Sequence, residues 1–159
     1  MTLKLCVSIL AFALCLACGG GEQAAAPQEP KAAPAKAMPE DESHRFSKED
    51  RVSTEVVDDN LLGKDYLPGG NQAEYDRGGK KHQLYLIKTG SPEDAALLMF
   101  DIKGRLADAK YVPHFGGYFG MDGDEPTFVF PKNSYVAGIV GLSQDDADEL
   151  ARHFAGRLN

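Results

Sequence analysis

The sequence predicts an α+β fold: a small, mainly antiparallel sheet with two helices on one face, in the order β-β-α-β-β-β-α. Three observations carry this. Two segments open with a serine and an acid-rich first turn, then repeat apolar residues at helical spacing. Short apolar runs bounded by glycine and asparagine turns lie around them. The connections are too short for most parallel crossovers and suit hairpins.

Taken in order, Ser47-Lys48-Glu49-Asp50 reads as the cap of a short helix, and Val56-Val57 and Leu61-Leu62 as cover for a sheet edge. Residues 71–76 and 83–89 read as a hairpin joined through Arg77-Gly78-Gly79-Lys80. The run from Leu84 to Ile87 is apolar on both sides of the strand, which predicts a central position covered on both faces. Ser91-Pro92-Glu93-Asp94 starts the first helix, with serine as cap and proline at the first turn. Its apolar residues are Ala95, Leu98, Met99, Ile102 and Leu106. A short strand is expected over 110–115. Two more, over 127–130 and 135–142, flank Pro131-Lys132-Asn133-Ser134, a turn in which Asn133 tolerates a left-handed backbone. Ser143-Gln144-Asp145-Asp146 caps the second helix, whose apolar residues are Ala147, Leu150, Ala151, Phe154 and Leu158. Residues 46–159 are long enough for one domain and too short for two.

The chain before this domain has a different character. Residues 1–17 carry one charge, Lys4, followed by the apolar run Leu5–Leu16. That pattern describes a secretory signal peptide; the run is shorter than the ~20 residues a membrane-spanning helix needs. It closes on Leu16-Ala17-Cys18. Here the sequence resembles the lipobox of bacterial lipoproteins, with Cys15 standing where that family usually has leucine. The resemblance implies cleavage before Cys18, lipid on Cys18 and attachment to a membrane of the cell envelope. Gly19 after the cysteine, in place of aspartate, implies the outer membrane over the inner. Two or more acyl chains hold a protein stably, where one does not. The only cysteines are Cys6, Cys15 and Cys18, so the expected mature domain has neither a disulfide framework nor a cysteine metal site. Residues 18–45, rich in alanine, proline and charge, read as the lipidated cysteine plus a disordered linker.

The chemistry-bearing motifs are sparse. Lys88-Thr89-Gly90 matches a triplet of penicillin-recognising serine enzymes, but the Ser-x-x-Lys and Ser-Asp-Asn elements that chemistry needs are missing. No zinc-binding histidine spacing and no serine elbow occurs. The most unusual stretch is 114–125, a glycine-rich segment holding His114, Phe115, Tyr118, Phe119, Asp122 and Asp124. It is expected to form a loop that binds a ligand or partner, because exposed aromatics supply contact area. The chain carries 17 basic and 24 acidic side chains, net −7, which argues against nucleic acid as partner.

The element order, with a Ser-Pro-Glu-Asp-Ala helix start after an apolar strand and a late hairpin ending in a helix, resembles an uncharacterised family of bacterial secreted domains over residues 65–159. That family has no assigned activity. The sequence thus points to an envelope lipoprotein whose domain is a non-catalytic binding or accessory module, with no cofactor and no metal site. The membrane, through lipid on Cys18, and an envelope protein are its expected partners. The alternatives are a small envelope hydrolase with an unrecognised site and a purely structural envelope component.

Overall fold

A computed structural model describes residues 38–159. Its elements are β1 (Arg51–Asp59), β2 (Pro68–Arg77), β3 (Lys80–Lys88), α1 (Pro92–Lys103), β4 (Ala107–Val112), β5 (Gly117–Asp122), β6 (Glu125–Lys132), β7 (Tyr135–Val140) and α2 (Gln144–Ala155). The strands form one antiparallel sheet in the order β1-β2-β3-β7-β6-β5-β4. Two meanders, β1–β3 and β4–β7, therefore meet where β3 pairs with β7. Helix α1 carries the chain from the centre of the sheet to its far edge. The proposed signal segment and Cys18 lie outside the described residues. Among those described, no helix is long and apolar enough to cross a membrane.

Both helices start where capping predicts. The hydroxyl of Ser91 accepts from the Asp94 amide at 3.1 Å, and that of Ser143 from the Asp146 amide at 3.3 Å. The hairpins also turn as expected: Gly78 and Gly79 have φ of +61° and +88°, and Asn133 has φ of +53°.

The expected placement of both helices on one face is corrected. On β3, Leu84 and Leu86 share a core with Ala147, Ala151 and Phe154 of α2, while Tyr85 and Ile87 share the other core with Ala95 and Ile102 of α1. Successive side chains of a strand point to opposite faces, so the helices lie on opposite faces. The reason is the composition of the middle of the sheet. Residues 84–87, 128–130 and 135–140, apart from glycine, are apolar on both sides, and each face needs its own cover. The remainder of the α1 face is covered by Leu61 and Leu67, so Leu61 covers a face of the sheet where cover for an edge was expected. On the α2 face, Phe46 stacks on Phe154 with ring centroids 5.5 Å apart.

The strand count also changes. Where a helix cap was expected at 47–50, the chain turns and enters β1, an edge strand with no buried residue. Where a flexible loop was expected at 114–125, β5 runs between two turns. Its glycines are packing residues. A Cβ on Gly117 would fall 2.3 Å from the carbonyl oxygen of Val129, and one on Gly120 would fall 2.8 Å from that of Ala107.

The expected linker, drawn to residue 45, gives way to folded chain before that point. Glu42 is buried, and its carboxylate accepts from Arg45 Nε at 2.7 Å, Lys88 Nζ at 3.0 Å and the Tyr135 hydroxyl at 3.1 Å. Asn71 clamps the backbone, accepting from the Glu42 amide and donating to the Glu40 carbonyl, both at 2.9 Å. Arg45 also donates to the carbonyl of Arg157 at 2.6 Å, which ties this segment to the end of the chain. Burial alone would raise the carboxyl of Glu42. The three donors outweigh that and hold it down at about 2.

Candidate functional site

The residues singled out in 114–125 do not converge. Phe115 and Phe119 turn toward the α2 face and pack on its core, Phe115 with its ring 5.0 Å from that of Phe130. Tyr118 faces the other way, beside Tyr111 at 5.3 Å. Asp122 accepts from the Tyr66 hydroxyl and pairs with Lys64 at 2.8 Å, so it pins the 60–67 segment across the sheet. The hydroxyl of Tyr66 is pushed upward, by burial first and by the Asp122 carboxylate second. Asp124 is an exposed turn residue. Among the described residues no group of histidine, cysteine and carboxylate side chains is arranged to hold a metal.

His114 makes the one arrangement here that resembles a catalytic pair. Its Nε2 lies 2.5 Å from Asp148 Oδ1 and 3.1 Å from Arg152 Nη2. Desolvation would raise the carboxyl of Asp148, but the bonds from Arg152 and His114 outweigh it and hold the group low. This trio sits on the outer side of α2, and no hydroxyl is bonded to the imidazole. It joins the 113–116 turn to α2.

A groove lies on the opposite flank of α2. It has a volume of about 450 Å³, within the range of small-molecule sites. One wall is α2, through Asp146, Glu149, Leu150, His153 and Phe154, continued by Arg157 just past its end; the other is the stretch holding Ser47, Glu49 and Asp50. The floor is the β2–β3 hairpin, through Tyr75 and His82, together with Leu84 and Leu142. Its parts come from three separated stretches of the chain, which is why inspection of local motifs does not find it.

The floor is rigid. Tyr75 and His82 are cross-strand partners, with rings 5.1 Å apart and 12° from parallel. The Tyr75 hydroxyl donates to the Ser47 carbonyl at 3.0 Å, which sets the second wall against the floor. Desolvation lowers the imidazole of His82, more than the contact of its Nδ1 with the Lys80 carbonyl raises it. Burial thus favours the uncharged form of the His82 ring. The rim carries charge of both signs, with Arg77 2.9 Å from Asp50 and Lys80 3.8 Å from Asp146. Of the sequence's four histidines, His82 and His153 line this groove and His114 does not.

No family model and no curated protein matches the chain. A solved structure, that of a GTP binding regulator from Thermotoga maritima, matches with a TM-score of 0.51 over 73% of this chain and 83% of that one, at 15% sequence identity. The likeness is one of fold alone.

Proposed function

We propose that this chain is a lipid-anchored protein of the cell envelope, held in the outer membrane through Cys18, whose domain is a non-catalytic binding module with its site in the groove beside α2. The single observation that carries the binding reading is the groove. Elements distant in sequence bring an apolar, aromatic floor and a charged rim together there, as a recognition site requires. The anchor reading rests on the lipobox-like Leu16-Ala17-Cys18 and the apolar run before it. A small hydrolase is the second reading, favoured by the contact between His114 and Asp148. Against it, the pair stands outside the groove and has no nucleophile attached.

Two measurements test this. Radiolabelled palmitate is expected to enter the wild type in a bacterial host and not Cys18→Ser; labelling of both, or of neither, ends the anchor reading. In the mature protein solubilised in detergent, a fragment library titrated under amide-resolved NMR is expected to shift His82, Leu142, Leu150 and His153. Shifts centred instead on Tyr118 and Phe119 move the site to β5 and overturn the groove.

A further inference from the structure

The groove is polar from end to end as well as from floor to rim. Along the first half of α2, Glu49, Asp50, Asp146 and Glu149 are set against only two cations, Arg77 and Lys80. Toward the other end of α2 the groove presents His153 and Arg157, and no carboxylate. Part of this follows from the helix alone, since acids in a first turn and bases in a last turn complement its dipole. The helix does not explain the opposite wall and floor. Glu49 and Asp50 lie outside any helix, and both reach the field of Arg77, as does Glu149 across the gap. At the far end Arg157 makes itself felt at Tyr75 on the floor. The acidic end is therefore built from both walls, while the basic end rests on Arg157 beside α2. Its middle is apolar, formed by Leu84, Leu150 and Phe154.

Ligand classes sort themselves against this lining. A simple anion meets excess carboxylate at one end, and a simple cation meets Arg157 at the other. A wholly apolar ligand leaves both charged ends without compensation. What matches is an elongated dipolar molecule, cationic at one end, anionic at the other and apolar between. From Asp146 to Ala155, where α2 ends, the helix rises about 13 Å at 1.5 Å per residue, and Arg157 lies two residues further on. An extended peptide covers that in about five residues at ~3.3 Å each.

We propose that the groove binds a short extended peptide of about five residues, lying in the same direction as α2. Its amino end meets Asp146 and Glu149, a central apolar side chain rests over Leu84 and Leu150, and its carboxylate meets Arg157. This rests on the groove being the binding site, and it adds the ligand's class and polarity.

The test uses three peptides on the full mature protein in detergent, with calorimetry as the readout. The probes are Lys-Ala-Leu-Ala-Glu with free ends, the same peptide with both ends blocked, and Glu-Ala-Leu-Ala-Lys with both ends blocked. The blocked forward peptide is expected to bind about tenfold more tightly than the blocked reverse one, because only its side-chain charges match the groove. Tighter binding of the free-ended form is expected, because its amino and carboxyl ends add to the match; equal or weaker binding shows that the ends are not met in the groove and overturns the short-peptide assignment. The double variant Glu149→Arg with Arg157→Glu, changed at two exposed positions, is expected to invert the preference. Equal affinity for forward and reverse peptides, an unchanged preference in the double variant, or no binding by the wild type overturns the proposal. If the peptides fail while fragments still shift His82 and Leu150, the peptide assignment falls and the groove stands. If both fail, the groove reading falls with it.

Discussion

Glu42→Gln is expected to cost about 3 kcal/mol of stability at pH 7. A carboxyl lowered from 4.5 to about 2 represents roughly that much at 1.36 kcal/mol per unit, and the side chain is only 7% exposed, so solvent screening does little to reduce it. The variant keeps the shape of the side chain but cannot accept ionic bonds from Arg45 and Lys88. The sign of the pH dependence follows from the direction of the shift. Because the folded value lies below the unfolded one, the stabilisation is complete above about pH 5 and drains away as the pH falls toward 2. Urea unfolding across that range should show the wild type losing about 3 kcal/mol from this group, while Glu42→Gln lacks that component. Parallel pH profiles for the two proteins would show that Glu42 is not what holds the segment down.

Gly138→Ala is expected to be at least as damaging, about 3 kcal/mol or more. Gly138 lies directly opposite Tyr85 across the β3–β7 pairing. A Cβ there would fall 2.0 Å from two atoms of the Tyr85 ring, itself 1% exposed in the core beneath α1. The ring occupies the space that any larger residue at 138 would need. Gly138→Ala combined with Tyr85→Leu should therefore be more stable than Gly138→Ala alone. Tyr85→Phe should give no such relief, since ring carbons make the contact. Thermal unfolding of the four proteins gives the cycle; additive losses would sink the packing account.

These two positions also mark what local sequence conceals. The helices were legible because caps and apolar spacing are short-range signals, and Ser91 and Ser143 do what such serines do. The central strand was legible because Leu84–Ile87 has no polar side. The same fact held the clue to the helix arrangement, for a strand dry on both faces leaves no reason to crowd both helices on one. β1 was missed because an edge strand exposed on both faces has no alternation to read. β5 was missed because Gly117 and Gly120 look like loop residues, and only their neighbours' backbones reveal why nothing larger fits. Glu40 and Glu42 looked like linker because their partners, Lys88 and Tyr135, are far along the chain. The 114–125 residues stood out as a string, yet alternation along β5 divides them between two faces. The groove had no string to read at all.

The meeting of β3 with β7 has a consequence for how this chain reaches its fold. Each meander consists of neighbours in sequence, so its pairings close short loops. Joining them pairs Lys88 with Tyr135 and Gln83 with Val140, contacts roughly fifty residues apart, whose loop entropy must be met before they repay it. Until then β7, buried at every position in the finished sheet, is an open apolar edge, the kind of surface on which unfinished chains aggregate. The slow step in folding is thus expected to be the zipping of one seam at the centre of the sheet, the same event that ends the exposure of β7. A partner that shields β7 during that interval would raise the yield of folded protein without touching its stability.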